Sequence, residues 1–313
     1  MATRVSPVAG AGADVAPLAQ PATQVIVMPG FGRFAAEVAV RPHLRRFANG
    51  ELQADVPAVV AGRPCVLIGS VSPPDTNLVR LTQVAHTLQR AGARTITALL
   101  PYLAYARQDR ATPGRSLGLA WLGAQLRAAC VDAVVCVDVH SPDAQELMGM
   151  PVTSLSAASV FAAVLPVEWR TGVSFVAPDE GAIARCRALA QAVGGSGQVV
   201  WARKRRTAGG VSLLGLVGTP GRRALIVDDI LDTGATLVLC CRALRARGVT
   251  EIGILVTHGL FTGGNWRALA AEEVSRIWIS DSVLSPRRPA SAQIVPLRGL
   301  LAPVLAGAGD QEG

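Results

Sequence analysis

Apolar residues in this chain gather in short blocks, each followed by a stretch in which they recur at helical spacing. The blocks lie at 24–28, 63–70, 94–100, 131–139, 173–176, 199–202, 224–227 and 252–257. They are rich in Val, Ile and Leu and too short for buried helices, so they predict core strands. Amphipathic stretches at 78–90, 117–129, 183–194 and 237–247 predict helices between them. Strands alternating with helices predict an α/β fold, each sheet mainly parallel and flanked by helices.

The pattern repeats. LQRAGARTITALL at 88–100 and LRARGVTEIGILV at 244–256 are each a helix end, a glycine stop and a strand, with Gly92 and Gly248 in step. Two related α/β domains are therefore expected, 25–155 and 156–305, between tails at 1–24 and 306–313. The first tail is rich in Ala, Pro and Gly and lacks a compact apolar block, so it reads as a disordered segment rather than a secretory signal.

The halves differ at one junction. In ALIVDDILDTGATL, 224–237, an apolar strand at 224–227 is followed by an acidic turn that holds two adjacent acids, Asp228 and Asp229. A turn of Asp232, Thr233, Gly234, Ala235 and Thr236 then opens a helix. The first N–H groups of a helix lack internal partners and its dipole favours an anion, so phosphate suits that junction. Thr233 and Thr236 add hydroxyl donors, and Gly234 lets the backbone approach. Like charge keeps the acids off the phosphate, so they suit what lies beside it: sugar hydroxyls or a metal ion. Together they describe a sugar-phosphate site. An ordinary Asp-capped turn accounts for fewer of these residues. The matching loop of the first half has neither acid pair nor glycine.

Other candidates sit at predicted strand ends, where ligands bind in α/β sheets. PYLAYARQDR, 101–110, packs Arg107, Gln108, Asp109 and Arg110 together after one strand, although a solvated loop has the same composition. His140 ends another strand, and a ligand role and a structural role both stay open for it. Asp179 and Gly181 open the helix after 177, as an anion site or as a simple N-cap. Phe47–Glu51 reads as a turn between two strand-like pieces. His258 reads as structural.

Composition sharpens two points. Half of the 313 residues are hydrophobic, 17% are charged, and no apolar run is long and clean enough to span a membrane. The net charge of +8 fits a nucleic-acid binder or a cleft for phosphorylated small molecules. Aromatics are 4% and do not interleave with a basic stripe, which argues against nucleic acid. Six cysteines sit mostly in apolar stretches with no C-x-x-C pair, so reduced core thiols in a cytoplasmic protein are expected. Of the 30 Lys and Arg residues a single one, Lys204, is lysine. A compact ammonium is not interchangeable with a planar guanidinium, so Lys204 is inferred to do chemistry or to touch phosphate closely. It is expected on a mobile loop that follows the strand at 199–202.

In these motifs and their order the chain resembles the ribose-phosphate pyrophosphokinases, over roughly 47–305. VDDILDTGAT resembles their ribose-5-phosphate loop, PYLAYARQDR their ATP signature, APDEGA their pyrophosphate-side loop and ARKRR their catalytic flexible loop. The resemblance implies two type I phosphoribosyltransferase-like domains, an ATP side followed by a ribose-5-phosphate side. It also implies transfer of a pyrophosphoryl group from ATP to C1 of ribose 5-phosphate. Asp228 and Asp229 would bind the ribose hydroxyls, and residues 232–236 the 5-phosphate. Arg107, Gln108 and Asp109 would contact ATP. Phe47, Asn49 and Glu51 would hold the adenine of a neighbouring subunit, in a homo-oligomer that is a dimer or a hexamer. His140 and Asp179 would lie at Mg²⁺, and Lys204 and Arg206 would stabilise the transition state. The chain departs from the family pattern at Asn49, where Asp is usual, at Pro142 and Asp143, where Asp and Gln are usual, and at Arg203, where Asp is common. A type I phosphoribosyltransferase and a catalytically silent, regulatory homologue are the alternatives. PYLAYARQDR speaks against the first, and the intact acid pair with Lys204 against the second.

Overall fold

A computed structural model describes residues 23–35, 39–195, 198–207 and 210–305, with the side chains of 204–213 outside the description. The described chain forms two compact units. One runs through Leu155 and resumes at Arg298, and the other is Ser156–Leu297.

In the first unit β1 (Gln24–Val27) precedes a hairpin of β2 (His43–Arg46) and β3 (Leu52–Asp55). Then follow β4 (Pro64–Ile68), α1 (Thr76–Arg90), β5 (Thr95–Leu100), α2 (Gly118–Ala128), β6 (Ala133–Val137), α3 (Ala144–Met148) and β7 (Val152–Leu155). The five main strands pair in the order β1-β4-β5-β6-β7, every pair parallel, and β2–β3 is a separate antiparallel ribbon. Leu81, Val84, Ala85 and Leu88 of α1 recur at helical spacing and are fully buried together with Leu67, Ala98 and Leu100 of the sheet.

The second unit holds α4 (Ala158–Val164), β8 (Ser174–Ala177), α5 (Ile183–Ala192), β9 (Val199–Thr207), β10 (Gly210–Val217), β11 (Arg223–Leu231) and α6 (Ala235–Arg245). It continues with β12 (Glu251–Gly259), β13 (Val274–Ser280) and β14 (Gln293–Val295), and α7 (Arg298–Leu305) belongs with the first unit. Seven strands pair in the order β10-β9-β8-β11-β12-β13-β14, with β9–β10 the antiparallel pair. The two-domain α/β expectation is thus met. The repeat is visible in atomic detail. The chain leaves α1 through Gly92 at φ +88° and α6 through Gly248 at φ +82°. In each case the residue after the glycine donates its N–H back to a leucine carbonyl, Ala93 to Leu88 at 3.0 Å and Val249 to Leu244 at 3.1 Å.

Two expectations are corrected. Asp228 and Asp229 do not follow the strand but lie on it, because β11 continues through Ile230 and Leu231, which pair with His258 and Gly259 of β12. The backbone of 203–207 is not a loop. It extends β9 and pairs with β10, Lys204 opposite Leu213 and Arg206 opposite Val211, with a register shift between Leu213 and Gly215. The apolar and Gly-containing stretch 210–217 supplies a partner strand for the basic one, which a scan for cationic loops overlooks.

Candidate functional site

The cradle of the second unit is assembled from three neighbouring strands. β11 delivers the acids, β8 pairs on one side of it and β12 on the other. At the end of β11 the chain turns through Asp232 and Thr233 to Gly234, which precedes α6 with φ +83°. That left-handed backbone favours glycine. A Cβ at Gly234 would also stand 2.7 Å from Trp266 Cα, so the fit is steric as well as conformational. Thr233 and Ala235 are exposed at the helix start and Thr236 is half-buried. The first-turn N–H groups of α6 open toward that junction, the geometry an anion needs.

The segment after β12 closes one side of the cradle. Leu260 and Phe261 donate their N–H groups to Leu231 O at 2.8 and 3.1 Å, which ties this segment to the end of β11. Thr262 Oγ1 donates to Asp232 Oδ1. Neither Thr262 nor Trp266 was among the sequence candidates. The only signal for them is that TGGNW, 262–266, follows a strand adjacent to β11. His258 is buried, with Nδ1 2.8 Å from Ser282 Oγ, in keeping with a structural role.

A third residue absent from the candidates is Arg185, in the first turn of α5. Its Nη1 lies 3.6 Å from Asp229 Oδ1 and 3.9 Å from Asp228 Oδ1. All three side chains are largely shielded, at 16% exposure for Arg185, 15% for Asp228 and 5% for Asp229. Burial first, and then the adjacent Asp229 charge, push the Asp228 carboxyl well above the ordinary carboxylate range, and Arg185 opposes the rise. The Asp229 N–H also donates to Asp228 Oδ1 at 3.0 Å. Asp179 ends the turn after β8, and its Oδ1 accepts the Ala182 N–H at 3.2 Å as an N-cap. It is close enough to add to the upward pressure on Asp228.

In the first unit the candidates fall at the ends of adjacent strands β5 and β6. Tyr105 holds φ +67° within the loop, and the Gln108 N–H donates to its carbonyl at 2.9 Å. Gln108 folds toward α2. Its Oε1 accepts from Ser116 Oγ at 3.2 Å, and a Cβ at Gly118 would meet that oxygen at 2.5 Å. Arg107 is exposed and Asp109 half-buried. His140 is exposed after β6, behind Asp138 at φ +41° and Val139, whose N–H donates to Ser154 Oγ at 2.9 Å. Phe47, Asn49 and Glu51 lie at the tip of the β2–β3 hairpin, a sheet separate from that of β5 and β6. Phe47 and Glu51 close the turn by an N–H to carbonyl bond of 2.9 Å, and Asn49 Oδ1 accepts the Glu51 N–H at 3.1 Å. The Phe47 ring is 46% exposed and carries the Arg45 guanidinium 4.9 Å from its centre.

The side chains of Lys204 and Arg206 lie outside the described residues. Among the described residues no three His, Cys, Asp or Glu side chains group as a metal site. The six cysteines are free thiols, and burial pushes those of Cys136 and Cys241 up to about 12, so they stay protonated at neutral pH. No described helix is long and apolar enough to cross a membrane.

A phosphate-type helix junction behind an acid-bearing strand, in one of two repeated α/β units, defines a protein of phosphoribosyltransferase build. Comparison with known proteins narrows the class. The N-terminal domain of ribose phosphate pyrophosphokinase matches residues 35–129, and the phosphoribosyl transferase domain matches 156–279. The chain is 35% identical to a ribose-phosphate pyrophosphokinase of Maricaulis maris, over 84% of this chain and 86% of that protein. It is 33% identical to one of Thermosipho africanus, over 82% of each. A crystal structure of phosphoribosylpyrophosphate synthetase from Mycobacterium smegmatis shares the fold, with TM-score 0.78 and 24% identity over 90% of this chain and 96% of that one. The chain belongs to the ribose-phosphate pyrophosphokinase family of enzymes.

Proposed function

We propose that the protein transfers the β,γ-pyrophosphoryl group of ATP to the C1 hydroxyl of ribose 5-phosphate, giving 5-phosphoribosyl 1-pyrophosphate and AMP. The observation that carries this reading is the shielded pair Asp228–Asp229 beside the Gly234 helix junction. Carboxylates accept hydrogen bonds from vicinal ribose hydroxyls, while the helix start and Thr233 and Thr236 donate to the 5-phosphate. The C1 hydroxyl attacks the β-phosphorus and the bond from that phosphorus to the AMP oxygen breaks. Such a step needs alignment and charge neutralisation more than covalent help.

Lys204 and Arg206 are assigned to the charge that develops on the transferred group. Arg107, Gln108 and Asp109 are assigned to ATP. Phe47, Asn49 and Glu51 are assigned to an adenine bound across a homo-oligomer interface, a role suited to an aromatic ring exposed at a hairpin tip. Mg²⁺ keeps several waters and needs few protein ligands. Asp179 would supply a carboxylate oxygen, and His140, a weak partner for so hard a cation, would act through water. Bound Mg²⁺ would neutralise charge on the phosphate oxygens. The alignment itself falls to the cradle residues.

The test is AMP release from purified protein with ATP, Mg²⁺ and ribose 5-phosphate, each omitted in turn. AMP formed only with all three present, together with a pyrophosphorylated pentose, is the expected result. Absence of AMP under full mixture, with ribose 5-phosphate still bound, would overturn the reading.

A further inference from the structure

We propose that Arg185 is a positioning residue that holds the ribose-binding acids in place, and so tunes recognition of the sugar hydroxyls rather than of the phosphate. The inference rests on the ribose-5-phosphate reading of the cradle. Asp228 and Asp229 are consecutive on β11 and close enough to interact directly, so two carboxyl groups of like charge crowd one place on the strand. Arg185 approaches both from α5, a different element, and lies within 4 Å of an oxygen of each. Its guanidinium is planar and carries several donors, so one side chain can face two acceptors. With exposures between 5% and 16%, solvent screens the interactions among the three only weakly.

The location adds a second link. α5 follows the turn that holds Asp179, so the ion pairs join the acid strand to the pyrophosphate-side turn. Beyond the end of β11, the phosphate-binding turn has its own supports: Gly234 against Trp266, and Thr262 on Asp232. Losing Arg185 should therefore disturb the hydroxyl end of the sugar more than the phosphate end.

Binding of ribose 5-phosphate and 2-deoxyribose 5-phosphate to the full chain, by calorimetry, tests this in Arg185→Gln and Arg185→Lys. Unsubstituted protein should prefer the sugar with the 2-hydroxyl. Arg185→Gln should weaken ribose 5-phosphate roughly ten- to a hundredfold, as loss of an outer supporting partner does, with little change for the deoxy sugar. Arg185→Lys, which keeps the charge, should recover part of the preference. Combined with Asp229→Asn, Arg185→Gln should add little further loss. An unchanged preference in folded Arg185→Gln, or an equal loss for both sugars, overturns the proposal. If Arg185→Gln does not fold, Arg185→Lys decides alone: a reduced preference for the sugar with the 2-hydroxyl supports a positioning fork, and an unchanged preference or an equal weakening of both sugars overturns it. Failure of the unsubstituted protein to bind ribose 5-phosphate would instead sink the underlying reading.

Discussion

The two units share a scaffold and differ in what it carries. β1-β4-β5-β6-β7 and β8-β11-β12-β13-β14 are the same parallel order, and α1 and α6 end in the same glycine geometry. The junctions after β4 and β11 are equivalent in this order, yet their polar groups are used differently. After β4, Ser70 Oγ accepts the Ser72 N–H at 2.9 Å and Asn77 Nδ2 donates to the Ser72 carbonyl at 3.0 Å, so the loop satisfies itself. After β11, the exposed Thr233 and Ala235 stand at the start of a helix whose strand carries two shielded acids. Duplicating a fold therefore does not duplicate its site. The site depends on which junction leaves its donors for a ligand.

The largest effect should come from Lys204→Ala. Loss of one transition-state donor lowers turnover by about 10²–10³-fold, with the thermal midpoint almost unchanged. Steady-state AMP formation beside a melting curve checks both halves of that statement, and an unchanged rate would remove Lys204 from the chemistry.

Next come two glycines at non-equivalent places, Gly234 directly before α6 and Gly69 directly after β4. Gly234→Ala places a side chain in a left-handed backbone and against Trp266, and should cost about 1–2 kcal/mol from the backbone alone as well as ribose 5-phosphate affinity. Gly69→Ala meets Leu81 Cδ1 at 2.5 Å and Met28 Cγ at 2.9 Å, both flexible side-chain atoms, and should lower stability without touching sugar binding. Equal losses of affinity in the two variants would erase the distinction between the junctions.

Leu88→Ala and Leu244→Ala probe the shared scaffold. Both leucines are fully buried at equivalent helix ends, so each substitution should cost roughly 2–5 kcal/mol. Denaturant unfolding should show losses of similar size if the repeat is energetic as well as geometric.

The smallest effect concerns pH. Asp228 keeps its proton to a higher pH in the folded chain than in the unfolded one. The unfolded state therefore loses that proton first, and stability falls as pH rises from about 4 through the raised folded value. Asp228→Asn should flatten this part of the stability profile and lose ribose binding, and a profile identical to that of the unsubstituted protein would contradict the burial argument.

Strand and helix placement was legible because apolar blocks and helical spacing are local. The cradle was legible because acids, glycine and threonines stand within one short stretch, 228–236. Arg185, Thr262 and Trp266 were not, since each reaches the cradle from an element far along the chain and nothing local marks it. Adjacent acids usually mark the end of a strand, whereas here Ile230 and Leu231 carry the ladder past them. In 203–207 four basic residues hide a strand whose partner is unlike it in composition.

That last pairing has an entropic consequence. An unpaired loop ordered around a substrate surrenders about 1–2 kcal/mol of backbone freedom for every residue fixed. The backbone of Lys204, Arg205 and Arg206 is instead paired with β10 as part of the sheet. For these residues most of the ordering is complete at folding, so binding energy from substrate is left for alignment, and heating should weaken substrate affinity less steeply than it would for a cation carried on a free loop.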